Sequence, residues 1–449
     1  MTNVVLLPTP PRFPKVLLPA NLPQNPTDIE AAQASGWFSA LRRVITELHA
    51  QGVLAALSTS GMRGRGNRGV PLGDKWESCA RAQADRKYVV VNAYQSDPSV
   101  LTDRILLERN PYAVFEGAAI AAFTVGAEEI IFAVRAEATD SIETLEAAIA
   151  VARQAGYLGD NVFNSGWSLE ASVRPLEGSY MLGEETVLLK GLEGKRGQPE
   201  QQPPYMTTRG LWGKPTLIHG PQTFAAVPTI VNGGNEEFIE TSPRAFAGTV
   251  LVQISGSVVQ PGIAEVPLGV TLNEVLDVAG GIAAGKKLKA VLVGGPTGGL
   301  VPPSALDTTF DQGSLEKIGA QIGSGSIVVV DQSACVVDLA ATLTRFSADQ
   351  ACGKTIPCRI GLRRMAEIGQ RFVDGSPRGD DVTLLNDLAS DISESALCDH
   401  ERRATLALTS LARNFRDELD AHIVRNTCPA GVCRPNPKTA TATRAGAAS

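Results

Sequence analysis

Gly183-Glu184-Glu185-Thr186, running on into Glu193-Gly194-Lys195-Arg196-Gly197-Gln198-Pro199, is a stretch that no generic folding requirement calls for. An acidic pair directly after a glycine can approach a sugar or a nicotinamide ring closely. The Gly-Lys-Arg-Gly turn beyond it can meet anionic groups through backbone N–H donors. Upstream, Gly61-Met62-Arg63-Gly64-Arg65-Gly66-Asn67-Arg68-Gly69 interleaves glycines with cations, and Lys75-Trp76 follows. Glycine lets backbone come close to a ligand, and Arg63, Arg65 and Arg68 can neutralise phosphate. Gly64-x-Gly66-x-x-Gly69 spells the dinucleotide fingerprint, but no convincing strand precedes it, and the pattern alone is equally compatible with a flexible turn.

At 449 residues the chain is long enough for two or three domains, each with its own core. Hydrophobic residues at 43% and charged ones at 20% describe a soluble globular chain. The most apolar region, 113–134, is interrupted by Glu116, Glu128 and Glu129, whose burial in lipid would be costly, so no direct membrane insertion is expected. Pro8, Pro10, Pro11 and Pro14 replace the basic start and apolar run of a secretory signal, which makes the cytoplasm the expected location. A net charge of −6 argues against nucleic acid as a partner. All but Cys79 of the seven cysteines lie beyond residue 330, a clustering that suits metal or iron-sulfur ligation better than disulfides.

The pattern divides the chain into five parts. Residues 1–56 are a Pro-rich lead-in followed by a helix from about Asp28 to Ala50, with Gly52 as its stop. Over 57–241, strand-like runs (Tyr88 to Asn92, Ile130 to Val134) alternate with helix-like ones (Pro111 to Val125, Ser141 to Ala155), the order of an α/β sheet with crossover helices. Composition shifts near Ser242-Pro243. Residues 242–333 hold β-branched runs beginning at Gly248, Ala290 and Ser326 and one short helix at Leu272 to Val278, a small α+β module. Residues 334–427 read as a bundle of about four helices, among them Leu339 to Phe346 and Leu406 to Ile423. The Cys-containing tail 428–449 ends in Thr/Ala/Arg-rich sequence expected to be disordered.

Taken together, the glycine loop, the acidic pair and the cysteines around Cys352 closely resemble the NADH-binding flavoprotein subunit of respiratory complex I. Diaphorase subunits of NAD-linked formate dehydrogenases and hydrogenases share the pattern, and this chain reads as a divergent member. The resemblance implies an FMN-binding domain with a Rossmann-like sheet, then a ubiquitin-like β-grasp domain and a helical bundle carrying an iron-sulfur site. It assigns Gly61, Arg63, Gly64, Arg65, Gly66 and Lys75 to the FMN phosphate, and Asn92, Gly183, Glu184, Glu185, Tyr205 and His219 to the flavin and nucleotide. Glu185 and Asp97 are the candidates for placing the nicotinamide of NAD(H). Implied partners are other subunits of a redox complex: a thioredoxin-like 2Fe-2S subunit and a further iron-sulfur or catalytic subunit.

Several positions depart from the resembled pattern. An aromatic residue is replaced by Val70, which removes a stacking face. Where the pattern has Asn-Ala-Asp-Glu-x-Glu-Pro-Gly, the chain has Asn92-Ala93-Tyr94-Gln95-Ser96-Asp97-Pro98-Ser99, so two acids become Tyr94 and Gln95. A paired Asn-Asn becomes His219-Gly220. In the iron-sulfur segment Cys352-Gly353-Lys354-Thr355-Ile356-Pro357-Cys358-Arg359, one expected cysteine is Thr355, leaving Cys352, Cys358 and the distant Cys398. A hydroxyl is a far weaker iron ligand than a thiolate. A 3Fe-4S cluster, a 4Fe-4S cluster completed by water, Asp399, His400 or a partner, an empty site, or rescue by Cys335 all remain open. His422, Cys428 and Cys433 form a partial zinc pattern that is weak alone, and a frayed tail with surface thiols is the plainer expectation. Two functions therefore compete. One is a diaphorase-type subunit passing electrons between NAD(P)H, FMN and iron-sulfur centres. The other is a catalytically reduced paralogue serving as an assembly or regulatory subunit.

Overall fold

The structure, a computed structural model, describes residues 4–66, 69–240 and 248–433. Ser242-Pro243, Arg68 and the tail from Pro435 lie outside the described residues. Two compact units divide the chain, residues 1–253 with 262–270 and residues 254–261 with 271–449. Among the described residues no helix is long and apolar enough to cross a membrane.

In the first unit, the run Tyr88-Val-Val-Val is buried on both faces, as a central parallel strand requires. It forms β1 (Tyr88–Ala93), which lies beside β2 (Glu129–Arg135), itself followed by β3 (Glu170–Leu176). The chain then crosses back to set β4 (Thr216–His219) on the other side of β1, giving the order β3-β2-β1-β4. All the pairings are parallel. The connections thus diverge between β1 and β4, a switch point of the kind at whose carboxyl end the ligands of open α/β sheets bind in a crevice. Those ends carry Asn92 and His219-Gly220.

Helix Pro111–Val125 starts on a proline and stops at Gly126, whose φ is 75°. Every residue in it except Phe123 is buried, as expected for a helix apolar all round. It packs on helix Pro221–Glu240 so closely that a Cβ on Gly117 would lie 1.9 Å from the Phe224 carbonyl oxygen. The helix expected over 28–50 is instead broken: Ile29–Ala34 and Ser39–Arg43 are separated by Gly36 and Phe38 in left-handed conformation. Gly52 does not stop it; helix His49–Thr59 runs through, because Val53 and Leu57 are buried in the core and outweigh the roughly 1 kcal/mol helix cost of glycine.

Two buried carboxylates tie down this lead-in. Glu265, in β6 (Gly262–Pro267), accepts hydrogen bonds through Oε1 from the Val16 and Leu17 N–H groups and the Thr249 hydroxyl, and through Oε2 from the Leu18 N–H. Glu116 accepts from the Leu41 N–H at 3.0 Å. Burial pushes the Glu116 carboxyl up to about 7, against the lowering pull of the Phe38, Leu41 and Ala40 N–H groups. The folded state thus binds this proton more tightly than the unfolded chain. Its stabilising contribution is complete below about pH 4.5 and is lost as pH rises toward about 7, by about 3 kcal/mol at most. Glu116→Gln is expected to raise the melting temperature at about pH 8 and to flatten the pH dependence of melting above about pH 5. A melting profile with unchanged pH dependence in that variant would assign the effect to other groups.

A second sheet runs β6-β5-β9-β7-β8, where β5 is Thr249–Gly256, β7 Leu288–Val293, β8 Gly299–Val301 and β9 Ser326–Asp331. Helix Leu272–Val278 matches its expected bounds and is fixed by a capping box between Thr271 and Glu274. Beyond Cys335 the second unit is helical. Val336–Gln350, Leu362–Val373, Asp381–Glu394 and Leu406–Asn414 bury Ala340, Leu362, Met365, Leu385 and Leu408 in one core. The run expected as one helix from Leu406 to Ile423 breaks at Phe415, and Arg416–Ile423 forms its own helix.

Candidate cofactor sites

The glycine loop closes on itself, the Gly64 N–H donating to the Val70 carbonyl at 2.9 Å and the Leu72 N–H to the Met62 carbonyl at 2.9 Å. The Arg65 N–H donates to the Thr223 hydroxyl at 2.9 Å, which lays the loop against the start of helix Pro221–Glu240. A Cβ on Gly66 would meet nothing within 4 Å, so this backbone faces open space. Arg65 Nε donates to the Thr249 carbonyl at 3.0 Å, and burial lowers its guanidinium to about 10, still cationic at neutral pH. Arg63 donates to the Gly69 carbonyl, and Gly61 takes the positive φ that ends the preceding helix.

Helix Leu72–Arg81 then carries Lys75 and Trp76 to the carboxyl end of β4. Lys75 Nζ donates to the Ile218 carbonyl at 2.8 Å and pairs with Glu185 at 2.9 and 3.1 Å. Trp76 Nε1 donates to His219 Nε2 at 3.2 Å. Because that nitrogen accepts, the proton of the neutral ring sits on Nδ1. Burial, aided by the Lys75 charge, holds His219 well below the usual histidine range, so the ring stays neutral. A Cβ on Gly64 would lie 3.6 Å from His219 Nδ1. The loop and this fixed N–H donor are therefore neighbours.

Glu184 is the N-cap of helix Glu185–Leu192, its Oε2 accepting from the Val187 N–H at 2.9 Å and the Thr186 hydroxyl at 2.5 Å. Burial raises its carboxyl despite these donors. Asn92 Nδ2 donates to the Gly183 carbonyl at 2.9 Å, joining the end of β1 to the acidic corner. The structure thus brings Gly64, Lys75, Asn92, Gly183, Glu185 and His219 to the β1/β4 crevice. Asp97 is buried, with Oδ1 accepting from the Ser99 N–H and hydroxyl. Tyr205 is 57% exposed. The departures have taken structural work: Tyr94 is fully buried and its hydroxyl donates to the Gly178 carbonyl at 2.5 Å, while Gln95 Oε1 accepts from the Arg104 N–H. An open glycine backbone flanked by two cations and a neutral N–H donor fits a phosphate-bearing planar cofactor such as FMN.

In the second unit, Cys352 is half-buried and Cys358 and Cys398 are buried. Thr355, at the place of the expected cysteine, donates its hydroxyl to Glu401 Oε1 at 2.5 Å, and Glu401 is buried. Burial, with the nearby Glu401 and Cys352 charges, pushes the Cys358 thiol up to about 12. Three thiols with a hydroxyl-carboxylate pair fit a cluster only in part. Glu401 was not among the sequence candidates; 46 positions separate it from Thr355, and no spacing rule links them. His400 Nε2 is engaged with the Ser347 carbonyl at 2.9 Å. Rescue by Cys335 is ruled out as an expectation: its sulfur lies 3.4 Å from His422 Nε2, in a different group that includes Cys428 and Cys433.

These arrangements agree with known proteins. Residues 57–229 match the Nuo51 FMN-binding domain, 250–334 the SLBB domain, and 338–422 the NADH-ubiquinone oxidoreductase-F iron-sulfur binding region. The NADP-reducing hydrogenase subunit HndC of Solidesulfovibrio fructosivorans is 37% identical over 91% of this chain and 83% of its own length. The NADH-quinone oxidoreductase F 2 subunit of Rhizobium meliloti is 36% identical over 88% of this chain and 94% of its own. The structure of an NAD+-reducing [NiFe]-hydrogenase in the H2-reduced state superposes with a TM-score of 0.76 at 29% identity, covering 86% of this chain and 65% of that one. With the crevice, the three cysteines and these matches in agreement, the chain belongs to the family of NADH-quinone oxidoreductase F subunits and their hydrogenase relatives.

Proposed function

We propose that this chain is a diaphorase-type subunit of a multisubunit oxidoreductase, passing electrons between NAD(P)H, FMN and iron-sulfur centres. The observation that carries this reading is the meeting of Lys75, Glu185, Asn92 and His219 at the sheet's switch point, beside an open glycine loop. FMN, when bound, accepts hydride and releases electrons singly, and the chain positions and tunes it. In this reading Gly61, Arg63, Gly64, Arg65, Gly66 and Lys75 hold the phosphate. His219 offers one fixed N–H where the family pattern has an amide. Glu185 and Asp97 place the nicotinamide, with Glu184 fixing the helix that presents Glu185 and Tyr205 lending an aromatic face. Cys352, Cys358 and Cys398 hold iron. The finer organisation belongs to the same proposal: a β-grasp module at 242–333, a helical bundle at 334–427, a cytoplasmic setting, and partners that include a thioredoxin-like 2Fe-2S subunit.

Glu185→Gln tests the hydride step. It keeps the size of the side chain and removes the charge opposite Lys75, so FMN content should stay nearly constant while flavin reduction slows about a hundredfold, the scale of a misplaced donor. Stopped-flow reduction by NADH and by NADPH provides the measurement. Unaltered reduction kinetics would remove Glu185 from the mechanism, and a purified chain that takes up no FMN would overturn the reading as a whole.

A further inference from the structure

Cys335, His422, Cys428 and Cys433 come from the start of one helix, the end of another and the segment beyond it, yet their ligand atoms all lie within 4.8 Å of one another. We propose that these four side chains bind one structural Zn2+ ion, which fastens residues 428–433 to the helical core. The separation of 3.4 Å between Cys335 Sγ and His422 Nε2 matches a tetrahedral edge of about 3.5 Å, as Zn–S near 2.3 Å and Zn–N near 2.0 Å require. His422 is fully buried, and its Nδ1 lies 2.9 Å from the Glu418 carbonyl, which can only accept. The ring proton is therefore on Nδ1 and the Nε2 lone pair faces the thiols, the outer support typical of zinc-bound histidines.

The sulfurs are equally prepared. Cys335 caps helix Val336–Gln350 and its sulfur accepts from the Asp338 N–H at 3.4 Å, which holds the side chain at the helix start, facing His422. Cys428 and Cys433 flank a turn in which Gly431 has a φ of 71°, and the N–H groups of Cys433, Val432 and Ala430 point at the Cys428 sulfur. Three thiolates and an imidazole select zinc over hard cations. With every position taken by protein, the site is a closed, structural one. A cluster would spread its ligands over separate irons; here one point serves all four.

The full chain, purified without added metal, should carry about one zinc by elemental analysis, resistant to mild chelation. Replacing that zinc by Co2+ should give intense visible ligand-field bands and thiolate charge-transfer absorption. In Cys428→Ser/Cys433→Ser, whose sites are only half-buried, zinc should fall to background and trypsin should cut after Arg425 much faster, while helical content persists. Cys352→Ser/Cys358→Ser should keep its zinc, which separates this site from the iron-sulfur one. Zinc unaffected by the Cys428/Cys433 changes, iron in its place, or a Cys428–Cys433 disulfide in the native chain by mass spectrometry would overturn the proposal.

Discussion

Thr355→Cys is expected to convert a labile iron-sulfur site into one holding a full four-iron cluster in air. In the proposed reading Cys352, Cys358 and Cys398 would supply three thiolates, and at the position matching the fourth stands Thr355, whose hydroxyl is already committed to Glu401. An iron without a thiolate is the one most readily lost on oxidation, so aerobic preparations should show three-iron or substoichiometric content. The new thiolate would face the buried Glu401 carboxylate, and two like charges there oppose each other. Thr355→Cys/Glu401→Gln should therefore hold the cluster better than Thr355→Cys alone. Iron and sulfide analysis with electron paramagnetic resonance, on aerobic and anaerobic preparations, decides the matter. An oxidation-resistant four-iron cluster in the native chain would show that Glu401 or an exogenous group already completes the site, and Glu401→Ala would then distinguish the two. Iron absent from every form would leave the three cysteines as remnants.

Arg65→Ala/Lys75→Ala should weaken FMN binding by about two orders of magnitude or more. Each cation lost from a phosphate removes a charge-assisted hydrogen bond worth about 1.5–3 kcal/mol. Both residues also have structural contacts, Arg65 to the Thr249 carbonyl and Lys75 to the Ile218 carbonyl, so the loss could come from a displaced loop. Thermal melting of the apo variants separates the two causes: a phosphate effect should leave the melting temperature nearly unchanged, a displaced loop should lower it. Fluorescence titration with FMN gives the affinities. Equal affinity in native and doubly substituted chains would place the phosphate elsewhere.

The elements legible in the sequence were those whose local pattern agrees with their environment. Helix Pro111–Val125 announced itself with a proline start, an apolar run and a glycine stop, and β1 with four consecutive aromatic and β-branched residues. β3 was not legible, because an edge strand containing Arg174 and Pro175 and half-exposed along its length has neither the hydrophobicity nor the alternation of a core strand. β4 is four residues long, and helix Pro221–Glu240 carries Pro228, Gly233 and Gly234 inside it; tertiary packing overrides those breakers. At the site, the glycine loop and acidic pair were visible as motifs. Their convergence was not, since the Lys75–Glu185 pair spans 110 positions. The same reason hid Glu401 behind Thr355 and Cys335 beside His422.

Tyr94 shows that a departure at the crevice can be part of the packing. Its ring fills a fully buried space under the Arg135 guanidinium at 5.1 Å, and its hydroxyl satisfies the Gly178 carbonyl. Returning the position to the family's aspartate would leave a ring-sized void and remove the tie to the Gly178 carbonyl. Loss of a buried aromatic ring costs about 3–5 kcal/mol. An acid there could pair with Arg135, but the space left by the ring would need refilling beside the 176–180 loop. A departure packed in this way has become part of the scaffold, and removing it acts on stability before it acts on chemistry.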